Sequence, residues 1–111
     1  MESTPTHIVV LITASSRQEA EVIGKALVES RLAACVNISA GVYSLFWWQG
    51  AVERQEEVLM LVKSRRDLLS SIIEIVKGLH SYSVPEVVAL PILAGSADYL
   101  AWVDESLQQT P

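Results

Sequence analysis

The chain has 111 residues, half of them hydrophobic, with 8 Lys and Arg against 13 Asp and Glu for a net charge of −5. This hydrophobic share excludes a disordered chain, and the acidic balance, with no basic cluster beyond Arg65-Arg66, argues against nucleic acid and anionic membrane as partners. The single cysteine, Cys35, excludes an intrachain disulfide; no apolar run reaches the roughly 18–20 residues of a membrane span.

The length suits one domain over residues 1–111, with both tails short. Met1 to His7 is polar and lacks the basic-then-apolar order of a secretory leader. Together these features give the expectation of a soluble, cytoplasmic protein.

Ile8 to Ile12 is a continuous apolar run rich in β-branched residues, which predicts a buried strand. Ser16 stands three residues before Glu19 in a capping-box pattern, and residues 17–30 follow as a helix with Ala20, Ile23, Leu27 and Val28 toward one face. Gly24 weakens that helix slightly unless it lets the helix approach the sheet closely. Leu32 to Ile38 returns as strand, and Gly41 marks a candidate bulge.

Two long β-type runs then meet at Gln49-Gly50, a hairpin signal. The loop sets Trp48 against Ala51, Phe46 against Glu53, Val42 against Glu57, Ile38 against Leu61 and Cys35 against Ser64. Arms of this length would reach roughly 40 Å, where ordinary strands span about 17–20 Å. The hairpin should overhang its own domain and expose Phe46, Trp47 and Trp48 unless another copy of the chain covers them.

Ser64 with Asp67 resembles a second helix start, with Leu68, Leu69, Ile72, Ile75, Val76 and Leu79 as its apolar face and Gly78 as a left-handed C-terminal cap. Residues 79–86 form an irregular connection. Val87 to Ile92 is a fourth strand, confined by Pro91 to an edge or a bulge, and Gly95-Ser96 opens a last helix. The order β-α-β-β-α-β plus a terminal helix predicts an α+β, ferredoxin-like sandwich with a long hairpin between its second and third strands. Ile8–Ile12, Val58–Val62 and Val87–Leu90 do not alternate apolar with polar, so both faces of the sheet are expected to be covered, one by helices and one by a partner copy.

The segments Arg31 to Ile38, Ser44 to Glu53 and Glu57 to Lys63 resemble signatures of the CutA divalent-cation-tolerance family. So do His80-Ser-Tyr-Ser-Val-Pro-Glu86, Ala89 to Ile92 and Tyr99-Leu-x-Trp102, in order and over nearly the whole chain. The resemblance implies a homotrimer similar to the PII signalling proteins, with sheets facing inward and hairpins reaching neighbouring subunits. It also implies a role in tolerance of copper and other divalent metals, with no catalysis. Two positions depart from the family pattern. Ser81 stands where a Pro usually follows the His. Of the Cys and two adjacent His credited with a copper site in some bacterial members, the matching positions here are Ile12, Leu79 and His80, so only His80 remains.

Candidate site residues follow. His80, just after a helix C-terminus, is either a metal ligand or polar cleft group, or a histidine that ties its loop down. Glu53, Glu57 and Lys63 share strand parity, so they present either a binding face for a cation or small-molecule headgroup, or a solvated ion-pair surface, the reading preferred for Glu56. Tyr82 and Trp48 are candidate cleft lining. With Tyr43 and Trp47 they read equally as interface anchors, Trp47 and Trp48 pointing to opposite faces. Cys35 reads as a small buried hydrophobe rather than a Cu(I) ligand, and His7 as an exposed terminal residue.

No G-x-S-x-G elbow, H-E-x-x-H motif or phosphate loop is present, so no enzyme is expected. Three functional readings remain. The first is a trimer that binds Cu²⁺, another divalent cation or a small ligand between subunits, and the second an assembly or signalling module for a protein partner with no specific metal site. The third, a PII-like sensor of a small anion, is disfavoured by the charge.

Overall fold

The computed structural model describes residues 6–109, and the polar opening Met1–Pro5 lies outside the described residues. The elements run β1 (His7–Ala14), α1 (Arg17–Glu29), β2 (Cys35–Trp48), β3 (Ala51–Arg65), a 3-10 turn (Arg66–Leu68), α2 (Leu69–Leu79), β4 (Val87–Pro91) and α3 (Ala97–Ser106). The four strands form one antiparallel sheet in the order β2-β3-β1-β4.

Residues alternate across this sheet with period two. Ile8, Val10, Ile12 and Ala14 of β1 pair with Ser64, Val62, Met60 and Val58 of β3 and face α1 and α2. Against them pack Ala20, Ile23 and Leu27 of α1 and Ile72 and Val76 of α2, all wholly buried. Gly24 is part of this contact: a Cβ there would sit 3.3 Å from Val36 Cγ1, so the missing side chain lets α1 lie against β2. Val28, assigned to the apolar face, is exposed instead, one position past the buried stripe.

Ser16 caps α1 as expected, accepting the Glu19 amide at 3.1 Å. Ser64 does not cap α2. It is a strand residue whose hydroxyl donates to the Leu32 carbonyl at 2.7 Å, and α2 starts from Arg65 through the 3-10 turn with no side-chain cap. Gly78 is not a left-handed cap either, because α2 continues to Leu79 and ends on His80 in extended conformation. β2 begins at Cys35 rather than Leu32: Leu32 and Ala33 turn inward from the loop after the left-handed Arg31. β4 is an edge strand, as Pro91 requires.

The hairpin closes at Gln49-Gly50, both at positive φ, the conformation a two-residue primed turn requires. Pairing follows the expected register from Trp48–Ala51 down to Val42–Glu57. It then slips. Ser39 and Ala40 stand opposite Leu59 alone, and below this bulge Ile38 faces Met60 and Cys35 faces Lys63, each one residue off the bulge-free register. At the bulge the Leu59 amide donates to Ser39 Oγ at 3.1 Å.

The bulge exchanges the two sides of β2. Cys35 and Asn37 below it share a sheet face with Val42, Ser44, Phe46 and Trp48 above it. Cys35 is therefore half-buried on the face away from α1 and α2, not in the core. His7 is likewise not a free terminal residue. It opens β1, and its Nε2 lies 3.0 Å from Asp104 Oδ1 of α3. Arg65 joins this cluster through Asp67 and the Gln108 carbonyl, pinning the end of α3 to the sheet.

Candidate functional site

A cavity of about 750 Å³ opens on the sheet face opposite α1 and α2. Its floor is the upper hairpin, with Ser44, Phe46 and Trp48 from β2 and Glu53, Gln55 and Glu57 from β3. Its wall is the connection after α2, with Tyr82, Ser83, Val84 and Glu86. Alternation along the two arms explains the floor, because cross-strand partners share a face.

The wall is held by hydrogen bonds centred on His80. The imidazole is buried, and its Nδ1 accepts the Tyr82 amide at 3.0 Å. That bond puts the ring hydrogen on Nε2, which donates to the Thr13 carbonyl at the end of β1 at 2.7 Å. The Tyr82 ring lies 4.6 Å from the imidazole, and its hydroxyl donates to Glu57 Oε2 at 2.9 Å. Burial first, then the bond to Glu57 and the charges of Glu57 and Glu19, pushes the Tyr82 phenol up to about 12. The hydroxyl is therefore a fixed donor at neutral pH.

A second support comes from Glu19, which was expected only to cap its helix. Oε1 accepts the Ser15 amide at 2.9 Å and the Ser15 hydroxyl at 3.0 Å; Oε2 accepts the Ser81 amide at 2.8 Å. Oε1 also stands 3.8 Å from His80 Nε2. Burial opposes the charged carboxylate, but the bonds from Ser15 and Ser81 outweigh it and hold the carboxyl at about 2. The Ser81 amide exists because residue 81 is not proline, and it adds a bond between the loop and α1.

The candidate residues thus divide. His80, Tyr82 and Glu57 form one hydrogen-bonded chain, and Glu53 and Trp48 lie farther along the same cavity floor. Lys63 is elsewhere. It shares the sheet face, but ten residues of strand at about 3.3 Å each separate it from Glu53, and it bonds Asn37 beside Cys35. Trp47 points to the opposite side of the hairpin, three-quarters exposed, with Tyr43, Leu45 and Val52.

A divalent-metal centre does not fit this donor set within one subunit. Both His80 nitrogens are engaged, and among the described residues no group of three or more His, Cys, Asp or Glu is placed to hold a metal ion. The sequence reading missed Glu19, Phe46 and Glu86 as parts of the site. The capping box and the Phe46–Glu53 pairing contained the first two, and Glu86 ends the segment that carries His80.

Comparison with known proteins agrees with the architecture. The profile of the CutA1 divalent ion tolerance protein family matches residues 8–106. The divalent-cation tolerance protein CutA of Thermus thermophilus is 52% identical over 98 residues, covering 88% of this chain and 95% of that protein. The chloroplastic CutA 1 of rice is 41% identical over 113 residues, covering 99% of this chain and 64% of that protein. The solved structure of the periplasmic divalent cation tolerance protein CutA of Archaeoglobus fulgidus superposes with a TM-score of 0.89 at 43% identity, covering 92% of this chain and 99% of that one.

The cytoplasmic placement is corrected by these relatives, one described as periplasmic and one as chloroplastic. A lone thiol forbids an intrachain disulfide without demanding a reducing compartment, so it carried no address. What does hold is that no helix among the described residues is long and apolar enough to cross a membrane. With the matched profile spanning β1 through α3, the chain belongs to the CutA1 divalent ion tolerance protein family.

Proposed function

We propose that this chain is a single-domain, ferredoxin-like subunit of a PII-like homotrimer that serves divalent-metal tolerance without catalysis. It binds its ligand at clefts between subunits, the cavity under Tyr82 being one half of such a cleft. The observation that carries this reading is the uncovered face of the sheet. Val88 and Leu90 of β4 are nearly half exposed there, and the cavity opens on that same face. The overhanging hairpin supports it too, with Tyr43, Leu45, Trp47 and Val52 all more than half exposed on its other side. A second copy covering these surfaces would also close the cavity.

Light scattering on the eluting protein tests the assembly: a mass three times that of the chain is expected, and a monomer at micromolar concentration would overturn it. A calorimetric Cu²⁺ titration of tag-free protein beside His80→Ala tests the metal role. Loss of tight stoichiometric binding in the variant would mean His80 gives up one of its two bonds to coordinate.

A second reading has its own support. Because His80 is fully engaged in tying the loop to β1, the trimer can act as an assembly or signalling module for a protein partner, with the metal phenotype indirect. Weak copper binding, equal in both proteins, selects this reading.

A further inference from the structure

We propose that the cavity between the hairpin and the 82–86 connection takes an elongated organic ammonium ion of the alkyl polyamine class; this rests on the reading of that cavity as the binding cleft. Three carboxylates line it, Glu53, Glu57 and Glu86, against the single cation Arg54. Glu57 is the anchor. It is 6% exposed, its Oε2 is fixed by the Tyr82 hydroxyl, and its Oε1 has no hydrogen-bond partner among the described residues. No buried side-chain oxygen among the described residues is left without a partner, so Oε1 is open to the cavity and keeps its acceptor capacity for a ligand. An ammonium group supplies up to three N–H donors and the opposite charge.

The spacing selects the shape of the ligand. Glu53 and Glu57 project from the same side of β3, four residues apart, which is about 13 Å along a strand. One compact metal ion cannot be held by both, in keeping with the absence of a chelating cluster among the described residues. A chain with ammonium groups several methylenes apart can reach both. Between and beyond the two carboxylates the floor is Ser44, Gln55, Phe46 and Trp48. Phe46 stands directly across from Glu53, so a methylene stem can lie on the ring while its charged end meets the carboxylate and the aromatic face. An anion would meet three carboxylates, and a neutral chain would leave Glu57 without its counter-charge.

The test is a calorimetric titration of the assembled, tag-free protein at physiological salt with three probes: spermidine, a neutral polyether of similar length, and CuCl₂. Each is run on the parent protein, Glu57→Gln, Glu53→Gln and Glu29→Gln, the last removing an exposed charge on α1 away from the cavity. Glu53→Gln changes an exposed hairpin residue and keeps the test valid if Glu57→Gln folds poorly. Expected is saturable spermidine binding, weakened about tenfold or more by Glu57→Gln, less by Glu53→Gln and not by Glu29→Gln. Equal weakening by all three substitutions overturns the site as diffuse charge attraction. Equal binding of the polyether overturns the ammonium class and leaves the cleft standing. So does copper binding that alone depends on Glu57. Binding of none of the three probes overturns the ammonium proposal and the cleft reading together.

Discussion

The two faces of this sheet are made of similar residues and have different fates. Val10 and Ile12 of β1 face the helices and are wholly buried; one step along each strand, Leu11 and Val88 sit on the other face, Val88 half in water. The apolar content of the strands is therefore no guide to which face is finished within a subunit. The helices α1 and α2 complete one face. The other carries the cavity and, on the edge strand, Val88 and Leu90 nearly half exposed; the hairpin overhangs the helices, so Tyr43, Leu45, Trp47 and Val52 on its helix side have no cover in the single chain either. The finished face holds the fold, and the other face is where the proposed second copy and ligand would act.

The largest expected effect breaks the finished face. Ile12→Ala removes a wholly buried side chain from between the sheet and the helices and should cost about 2–5 kcal/mol in denaturant unfolding. Leu90→Ala sharpens the comparison. If Leu90 stays nearly half exposed the cost should be small, below about 1 kcal/mol, and independent of protein concentration. A cost near that of Ile12→Ala, growing on dilution, is the result expected of a face covered by a second copy.

The loop between the faces comes next. Ser81→Pro deletes the amide that donates to Glu19. His80 already has φ −78° and ψ 143°, a conformation that tolerates a following proline, so the substitution tests the bond with little distortion of the preceding residue. A loss of about 1 kcal/mol is expected, the donor being exposed, together with a rise of the Glu19 carboxyl toward its ordinary value, read by NMR titration.

The same carboxylate gives a pH dependence with a definite sign. Glu19 is held near 2 in the folded chain against 4.5 when unperturbed. Its contribution should be complete above about pH 4.5 and fade as the pH falls toward 2, because the unfolded state takes up the proton first. Urea midpoints measured across that window should fall more steeply in the parent than in Glu19→Gln; parallel curves would dismiss the carboxylate as the cause. The smallest effect belongs to the helix start. Ser16→Ala removes the cap on the Glu19 amide and should cost about 1 kcal/mol without moving the loop.

Much of this was legible in the chain. The non-alternating strands, the Gln49-Gly50 turn and Pro91 in the last strand together implied the element order, the upper hairpin register and the edge position of β4. Cys35 was misplaced because register below Gly41 depends on a bulge whose offset no local pattern states, and one residue of slip moves a side chain to the other face. Glu19 was seen only as a capping residue, since its bonds to Ser81 cross 62 positions of sequence. Lys63 was grouped with Glu53 by parity, which reports the face of a sheet and says nothing of distance along it.

What the sequence determined by itself was therefore what depends on short-range periodicity and turn chemistry: the elements, the hairpin turn and the family. What only the tertiary structure decided was long-range pairing. It placed Cys35 outside the core, engaged one nitrogen of His80 with its own loop and the other with β1, and gathered Glu57, Tyr82 and Glu53 around one cavity. The physical reason is that hydrogen-bond partners and side-chain neighbours are set by where distant segments meet, and a bulge or a loop moves that meeting point without changing the local pattern on either side.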